Sequence, residues 1–367
     1  MSFGARALIR LGALTHNLHT LKRAAPGAKV MAVIKANAYG HGMLAVAEQL
    51  TGVDALAVAR LPEALELRNA GIDKPITLLS GVFSVDELKH AGRHNIEIVV
   101  HCREQLSLIE SNAIEAQTIW LKVDTGMNRL GFEPRDASKL IERLRAANPL
   151  GEVRLMTHFA DADNLDGPLT SQQFDRIATV VSGFDGAVSL ANSAAMLGWP
   201  DIVNARTMLN FRGDLWVRPG IALYGISPFV GRTATELGLK PVMQFQARLI
   251  ARKPLAAGSQ VGYKGRYVSD DDTQLGIIAA GYGDGYSRHF RDGTPVLING
   301  RRVPLIGNVS MDMIAVDLGA DATDAVGDIA TLWGDGLPIE ELAPWADAIP
   351  YDLVCGVMNR ESAKIVS

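Results

Sequence analysis

A lysine ends an apolar run in the stretch MAVIKANAYGHG, residues 31–42, and small residues, Tyr39 and a Gly-His-Gly follow it at once. Lys35 at the end of a buried strand is costly to desolvate unless it is used or paired. Burial lowers the pKa of a lysine and favours the neutral, nucleophilic amine. An aldehyde cofactor consumes such an amine as a Schiff base, and the stretch predicts this chemistry. The alternative is a rim lysine whose ammonium group only reaches solvent.

Other chemically distinctive residues follow later apolar runs. They are Arg129 in TGMNRLG, His158 in LMTHF, Asn192-Ser193 in LANS and Arg218 in WVRPG. Taken singly, His158 has the alternative of a satisfied core histidine, Ser193 that of a helix N-cap, and Arg218 that of a partner for a carboxylate. If these residues and Lys35 lie at one edge of the fold, they form a single site for an aldehyde cofactor.

Pyridoxal phosphate is the aldehyde cofactor that fits, and its phosphate needs a cradle. Hydroxyls, backbone N–H groups and a helix N-terminus after the seventh run would supply one. The candidates are Tyr39, Ser193, Gly220 and Ile221. No P-loop competes for the phosphate, and the glycine spacing of GYGDGY, residues 281–286, is not the dinucleotide fingerprint. We therefore interpret GYGDGY as a turn-rich loop.

Eight apolar, β-rich runs between residues 29 and 225 must position these residues. The runs are KVMAVIKA, DALAVAR, PITLLSG, IEIVVH, TIWLKVD, VRLMTHF, AVSLANS and WVRPGIALYG. Most are apolar throughout, as strands buried on both faces are. Amphipathic segments such as SVDELKHAG and TSQQFDRIATVVSG separate them, and several open with a Ser or Thr N-cap and close with Gly. Eight such units favour a TIM barrel over a doubly wound sheet, with catalytic groups at the C-terminal ends of the strands.

From about residue 236 the pattern changes to strands joined by turns. The predicted strands lie in VMQFQARLIARKPL, LGIIAAGYGDGY, TPVLINGRRVPLIG, MDMIAVDL and GDIATLWG. Asn299-Gly300 predicts a hairpin turn. The predicted fold class is α/β, with a (β/α)8 TIM-like barrel over residues 1–235 and a mainly β domain over residues 236–367.

Composition restricts the function classes. The 367 residues are enough for two cores, and 48% hydrophobic with 21% charged residues is typical of a globular protein. A net charge of −4 without a long Lys and Arg run argues against nucleic-acid binding. Only two cysteines, no apolar stretch of membrane length and no signal peptide predict a cytoplasmic protein.

Nine segments, in order along nearly the whole chain, resemble the alanine racemases, which are fold-type III pyridoxal-phosphate enzymes. They are AVIKANAYGHG, VDTGMNRLG, MTHFA, ANSAA, VRPGIALYG, VGYKGRY, GYGDGYSR, MDM and PYDLVCGVMNR. The resemblance implies a homodimer with shared active sites, in which the β domain contributes to the partner subunit's site. It implies interconversion of L-alanine and D-alanine, either to supply D-alanine for peptidoglycan or in alanine catabolism.

The resemblance also implies roles for individual residues. Lys35 would hold the cofactor and act as the base for D-alanine, and Tyr263 in VGYKGRY would be the opposite-face base for L-alanine. Arg129 and the backbone of Met311 would hold the substrate carboxylate. The implied cofactor ligands are Lys35, Tyr39, His158, Ser193, Arg218, Gly220, Ile221 and Tyr351.

Physical chemistry agrees with these implied roles. Racemisation removes a proton from one face of a carbon and returns it on the other, so two bases must flank that carbon. Tyr263 needs a cationic neighbour at neutral pH, and Lys264 would point to the other face of a strand, which favours His158 as the helper. Arg218, implied to face the pyridine nitrogen, would leave that nitrogen neutral and disfavour transamination. His158 is implied to lie against the ring.

Some points stay open. Lys122, seven residues before Arg129, matches a lysine that carries a carbamate in many family members, and we hypothesise the same modification against an ordinary paired lysine. Residues 202–215 have no assigned role, and strictness for alanine over serine is undetermined. A broader-specificity racemase is an alternative. A fold-type III decarboxylase would need a glycine-triplet phosphate loop and a catalytic cysteine, a non-enzymatic carrier would need the barrel alone, and a metal hydrolase would need clustered histidines.

Overall fold

The predicted barrel is present, preceded by a short first strand, β1 (Arg6–Arg10). The computed structural model describes residues 4–112, 117–357 and 364–366. The eight barrel strands are β2 Lys29–Val33, β3 Ala55–Val58, β4 Ile76–Leu78, β5 Ile96–Val100, β6 Thr118–Lys122, β7 Glu152–Met156, β8 Val188–Ser189 and β9 Leu215–Val217. They are parallel and closed in chain order, because β9 pairs with β2. A TIM-like barrel is therefore confirmed over a doubly wound sheet.

Helices accompany the barrel strands. They are α1 Leu11–Ala24, α2 Lys35–Tyr39, α3 Met43–Gln49, α4 Leu61–Asn69, α5 Val85–Arg93, α6 Arg103–Glu110, α7 Ala137–Ala147, α8 Leu169–Val181, α9 Ser193–Gly198, α10 Pro200–Val203 and α11 Ala205–Leu209. The Ser cap predicted for α5 is confirmed, since Ser84 Oγ accepts the Glu87 N–H at 3.1 Å. The Thr or Ser cap expected for α8 is wrong, because that helix starts at Leu169 after Pro168 without a side-chain cap. Residues 202–215 run through α10 and α11 into β9.

The mainly β character of the later residues is also confirmed. The strands are β10 Met243–Leu255, β11 Gln260–Val261, β12 Tyr267–Val268, β13 Thr273–Ile278, β14 Pro295–Ile298, β15 Arg301–Ile306, β16 Ile314–Asp317, β17 Ile329–Trp333 and β18 Lys364–Val366, with helices α12 Ile339–Leu342 and α13 Pro350–Cys355. Asn299 and Gly300, with φ of 47° and 77°, form the predicted hairpin turn between β14 and β15. The last part of PYDLVCGVMNR, residues 358–360, lies outside the described residues.

The first strand of the chain belongs to the later sheet. β1 pairs antiparallel with β10 and parallel with β18, in a sheet ordered β13-β16-β15-β14-β17-β10-β1-β18. Residues 6–10 therefore lie with the β strands that follow the barrel, although they precede the barrel in sequence. The division of the chain at residue 235 stays a prediction.

Burial on both faces makes the barrel a rigid support for its rim. Every residue of β5 is buried, and Trp120 of β6 is fully enclosed. Each buried aliphatic side chain in these strands stabilises the fold by roughly 1.5–3 kcal/mol. Among the ranges described, every helix falls short of the length and hydrophobicity that crossing a bilayer requires.

Candidate active site

The backbone is left-handed immediately after Lys35. Residues 36–39 all have φ of 53–54°, so α2 is a single left-handed turn rather than a right-handed helix. Such dihedrals cost roughly 1–2 kcal/mol per L-residue, so surrounding contacts must hold them. One contact is made by Asn37, whose Oδ1 accepts the Met43 N–H at 2.8 Å. The turn starts at the C-terminal end of β2, which places Lys35 on the barrel rim.

The Lys35 amine is partly desolvated and lies among other charges. Burial and the positive charge of Arg129 lower its pKa, whereas the carboxylate of Glu63 raises it. A lowered pKa increases the fraction of neutral amine. This is the state that attack on an aldehyde requires.

Lys122 is the last residue of β6 and is buried at the same rim. Burial, reinforced by the positive charges of Arg218 and Arg129, lowers its pKa to about 7. Across residues 4–112, 117–357 and 364–366, neither Lys122 nor Arg218 forms an ion pair with a carboxylate. No carboxylate in those ranges therefore accounts for either side chain as an ordinary ion-pair partner.

The Arg218 guanidinium is held by neutral acceptors. It donates to Ser189 Oγ at 2.5 Å, to the Leu190 carbonyl at 3.2 Å and to the Thr157 carbonyl. Its Nη2 lies 3.5 Å from His158 Nδ1. Burial lowers the pKa of Arg218 to about 10, so it stays charged at neutral pH.

His158 is neutral in this environment. Burial, and then the positive charge of Arg218, lowers its pKa well below the usual value. An arginine only donates hydrogen bonds, so the contact with Nδ1 requires that nitrogen to be the acceptor. A neutral His158 cannot be the cationic helper that the sequence suggested for Tyr263, and the positive charge beside it is on Arg218.

Ser193 does not cap the helix that it begins. Asn192 caps α9 instead, because its Oδ1 accepts the Ala195 N–H at 2.9 Å. Ser193 Oγ is free to face the end of β9, where it accepts the N–H of Gly220 at 2.9 Å and that of Ala222 at 3.3 Å. The N-cap explanation of Ser193 is therefore wrong.

Hydroxyls and backbone meet beside Ser193. A Cβ at Gly220 would lie 2.7 Å from Tyr39 Oη, so a larger residue there would require the phenol or this backbone to shift. Ile221 begins a 3₁₀ turn, Ile221–Tyr224, directly after it. Thus Tyr39, Ser193, Gly220 and Ile221 lie together, as the phosphate-cradle prediction requires.

Two tilted aromatic rings pack against the Tyr39 ring of this cluster. The Tyr39 ring centroid is 4.9 Å from that of Tyr224 and 6.0 Å from that of Tyr351 on α13. Burial raises the pKa of Tyr39, and that of Tyr351 to about 12, so both phenols remain hydrogen-bond donors at neutral pH. A Cβ at Gly40 would lie 2.2 Å from the Val354 carbonyl, which shows how closely α13 packs on the turn after Lys35.

Arg129 lies on a loop that returns to its own strand. The Phe132 N–H donates to the Lys122 carbonyl at 2.9 Å, which closes the loop onto β6. Inside the loop, Asp124 Oδ1 accepts the N–H groups of Gly126 and Asn128 at 2.9 and 3.1 Å. The loop leaves Arg129 exposed, yet close enough to influence the pKa of Lys35 and Lys122.

Sequence reasoning missed Gln173, which connects two loops of the rim. It is fully buried on α8, and its Nε2 donates to Thr125 Oγ1 and to the His158 carbonyl, both at 3.0 Å. Its Oε1 accepts the Ala160 N–H at 2.8 Å. One side chain thus joins the loops after β6 and β7. The available signal was a glutamine four residues before Ile177 on the apolar face of the helix.

Two of the three predicted residues of the β region, Tyr263 and Met311, lie apart from this cluster. Tyr263 is 73% exposed and Met311 53% exposed. Within the described ranges, neither forms a hydrogen bond, ion pair or ring contact with the rim residues. Tyr263 lies in a 3₁₀ turn, Tyr263–Gly265, in which Lys264 has φ of 63°. The expected alternation of Tyr263 and Lys264 along a strand is therefore wrong.

The loops that carry Tyr263 and Met311 are ordered within this chain. Asn308 Nδ2 donates to the Tyr263 carbonyl at 3.1 Å, and Arg266 donates to Asn308 Oδ1 at 3.2 Å. The Met311 carbonyl accepts the Gly283 N–H at 2.8 Å from the GYGDGY segment, which is the turn-rich loop that the sequence predicts. Both residues are thus presented outward by a fixed backbone.

Two family models match this chain. The model of the alanine racemase N-terminal domain covers residues 9–228, and that of the C-terminal domain covers residues 242–365. Alanine racemase of Vibrio atlanticus is 48% identical over 364 residues, which is 99% of either chain. The crystal structure of the biosynthetic alanine racemase of Pseudomonas aeruginosa superposes with a TM-score of 0.93 at 39% identity, with all of both chains covered. The Bartonella henselae alanine racemase with covalently bound pyridoxal phosphate superposes with a TM-score of 0.82 at 28% identity, with 99% of both covered.

Fold, rim and comparisons together define an isomerase of the amino-acid racemase class, built from a TIM-like barrel and a β domain. The chain belongs to the alanine racemase family. The resemblance seen in the nine segments is thereby confirmed.

Proposed function

We propose that this racemase interconverts L-alanine and D-alanine with pyridoxal 5'-phosphate bound covalently to Lys35. The observation that carries the proposal is the partly desolvated Lys35 amine on the barrel rim, which shares that rim with Lys122 and with the cations Arg129 and Arg218. Membership of the family supports alanine as the substrate, and the Bartonella henselae relative supports the cofactor.

The rim residues fit this cofactor. Arg218 has a buried guanidinium with no carboxylate partner among the described residues, which favours an anionic or electron-rich ligand, and hydroxyls beside close-approaching backbone suit a phosphate. The proposed phosphate ligands are Tyr39, Ser193, Gly220, Ile221 and Tyr351. When bound, pyridoxal phosphate supplies an electron-withdrawing ring that acidifies the α-carbon of an attached amino acid.

Arg218 and His158 are proposed to meet the ring of the cofactor. Arg218 keeps its proton at neutral pH, so as the partner of the pyridine nitrogen it would donate a hydrogen bond without transferring a proton. An unprotonated pyridine ring would be a weaker electron acceptor, which would favour racemisation over transamination. His158, neutral and in contact with Arg218, would lie against the ring.

Two bases on opposite faces complete the proposal. Lys35 is the base for D-alanine, and Tyr263 of the partner subunit is the base for L-alanine, since each face needs its own proton carrier. A homodimer is supported by the exposure of Tyr263 away from its own rim. Met311, Met313 and Tyr282 on the same edge are also exposed, which gives a second copy an apolar surface to cover.

Arg129, with the backbone of Met311 of the partner subunit, is proposed to hold the substrate carboxylate by charge-assisted hydrogen bonds. A carbamate on Lys122 would brace Arg129. Its formation is balanced, because the neutral amine adds to carbon dioxide and loses one proton. The pKa of about 7 keeps much of that amine neutral at physiological pH.

The decisive experiment incubates the purified protein with L-alanine in deuterated water. The expected product is D-alanine with deuterium at the α-carbon. Failure to form D-alanine would overturn the proposal, and release of carbon dioxide from a diamino acid would instead support the decarboxylase. Parallel reactions with L-serine measure how strictly alanine is preferred.

We also propose that the enzyme acts in the cytoplasm, with its two domains divided near residue 235. Its product would be D-alanine for peptidoglycan, and its similarity to the biosynthetic alanine racemase of Pseudomonas aeruginosa supports a biosynthetic role. A deletion strain that needs D-alanine to grow supports this role, whereas a strain that only fails to use L-alanine as a nutrient supports catabolism.

A further inference from the structure

A glutamate outside the sequence-predicted site contacts the backbone next to Lys35. Glu63 Oε1 accepts the Ala36 N–H at 2.7 Å, and Ala36 directly follows Lys35. Glu63 Oε2 accepts the N–H groups of Ala59 and Arg60 at 2.8 and 3.0 Å. One carboxylate therefore joins the turn after β2 to the start of α4.

The position of this contact within α2 matters. The far end of the left-handed turn is held by several bonds, including that from Met43 to Asn37 and those from the His41 ring to the carbonyls of Ala38 and Tyr39. The near end has the Ala36 N–H, which meets the carboxylate of Glu63. Since left-handed dihedrals are unfavourable for alanine, releasing this end would let the chain relax at the residue beside Lys35.

We propose that Glu63 is a positioning residue for Lys35: its carboxylate ties Ala36 to the N-terminus of α4 and so fixes the backbone that presents the lysine. The inference rests on the proposed attachment of pyridoxal phosphate to Lys35. Three N–H donors converge on two carboxylate oxygens, an arrangement that an amide cannot reproduce because it offers one acceptor and one donor group. Aspartate is shorter by one methylene and cannot span the same gap.

Charge and position predict opposite effects for the loss of this carboxylate. Burial and Arg129 lower the pKa of Lys35, and Glu63 raises it. Removing the negative charge would therefore increase the fraction of neutral amine and speed its reaction with an aldehyde. Loosening the turn would slow that reaction. The direction of the change thus separates a positioning role from a purely electrostatic one.

The neighbouring barrel unit provides a matched control. Glu87 lies at the third position of α5, as Glu63 does in α4, and its Oε2 accepts the Phe83 N–H at 2.7 Å. Its hydrogen bonds do not reach α2. Glu87→Gln should lower the unfolding temperature about as much as Glu63→Gln, because each variant loses a carboxylate that caps a helix N-terminus, and it should leave Lys35 unaffected.

The experiment strips the full-length protein of bound pyridoxal phosphate and follows its recapture by absorbance. Borohydride reduction and peptide mass then measure how much is attached to Lys35. We expect Glu63→Gln and Glu63→Asp to capture the cofactor roughly tenfold or more slowly than wild type, as expected for a hydrogen bond to a charged group. Glu87→Gln should match wild type, with a change in unfolding temperature similar to that of Glu63→Gln.

Each other outcome is decisive. The positioning role is overturned if Glu63→Gln captures the cofactor at the wild-type rate. It is also overturned if Glu63→Gln captures the cofactor faster than wild type while Glu63→Asp matches wild type. Should Glu63→Gln fail to fold, the comparison of Glu63→Asp with Glu87→Gln carries the test. Lys35→Ala distinguishes the two proposals, because a pyridoxyl group that stays attached in this variant contradicts the proposed function itself, whereas its loss leaves only Glu63 in question.

Discussion

The barrel rim and the outer edge of the β domain carry the two halves of the proposed site, and their environments are opposite. Arg218 is 5% exposed and enclosed by acceptors, whereas Tyr263 is 73% exposed with only its backbone fixed. The rim shifts the pKa of its groups through burial and mutual repulsion. Contacts within the chain thus preorganise the barrel rim for chemistry. At the edge of the β domain, contacts within the chain hold only the backbone that exposes Tyr263.

The largest expected effect comes from a substitution on the barrel rim. Lys35→Ala removes the amine that the rim desolvates, so we expect loss of covalently held cofactor and a fall in kcat of roughly 10³-fold or more. Visible absorbance and turnover measure the two effects. A variant that keeps its bound cofactor and its activity would show that the rim is not where the chemistry occurs.

A change in the exposed half should be directional. Tyr263→Phe removes the proposed base for L-alanine, so we expect exchange of the L-alanine α-proton to fall by roughly 10²- to 10⁴-fold, the usual contribution of a general base. Exchange of the D-alanine α-proton should fall much less, because Lys35 serves that face. Nuclear magnetic resonance in deuterated water follows both rates, and equal losses would contradict the two-base assignment.

Mixing the two variants tests whether the halves belong to different chains. In a mixed dimer of Lys35→Ala and Tyr263→Phe chains, one of the two sites would have both bases. Random exchange should therefore restore about a quarter of wild-type activity, since half of the dimers are mixed. As a control, the two variants are mixed without the refolding or chain exchange that forms mixed dimers. No recovery would mean that each site takes Lys35 and Tyr263 from the same chain.

Local pattern predicted most of the fold that supports the two halves. Continuous apolar runs gave the barrel strands, and Asn299-Gly300 gave the hairpin, because both depend on neighbouring residues. The pairing of β1 with β10 was not predictable, since it joins residues that are far apart in sequence. The 3₁₀ turn at Tyr263 was also missed, because period-two alternation was assumed there.

The sequence predicted the reactive side chains of the rim but not the side chains that act by hydrogen-bonding to the backbone. The strand-end rule located Lys35, Arg129, His158, Ser193 and Arg218, whereas nothing local signals a left-handed turn in the sequence after Lys35. Alanine disfavours that conformation, and asparagine adopts it only occasionally. Gln173 and Glu63 were missed for the same reason, since their contacts lie on other barrel units.

Arg129 lies between the two environments, because it is exposed but acts on the rim by its charge. Arg129→Ala should raise KM for alanine by roughly 10- to 100-fold, the value of a lost charge-assisted hydrogen bond. Cofactor content should stay near wild type, since the cradle residues are on other loops. Steady-state kinetics and absorbance check both, and cofactor loss equal to the loss of affinity would make Arg129 a cofactor ligand instead of a substrate ligand.

The smallest expected effect comes from substituting Lys122. The pH dependence of this effect reports how strongly the rim is desolvated. Burial, with Arg218 and Arg129, lowers its pKa from 10.5 to about 7. Between these values the unfolded chain binds a proton that the folded chain has released, so stability from this group rises with pH. We therefore expect the unfolding temperature of wild type, relative to Lys122→Met, to rise by a few °C between pH 7 and pH 10 in buffer free of carbon dioxide.

Bicarbonate then distinguishes a free amine from a carbamate at this position. A carbamate replaces a largely neutral buried amine by a negative charge beside Arg218 and Arg129, so it should stabilise wild type at pH 8 and leave Lys122→Met unchanged. Labelled carbon dioxide adds a direct signal on the intact protein. If bicarbonate shifts both proteins equally and no label is retained, Lys122 is a free amine, and Arg129 is held by its loop bonds alone.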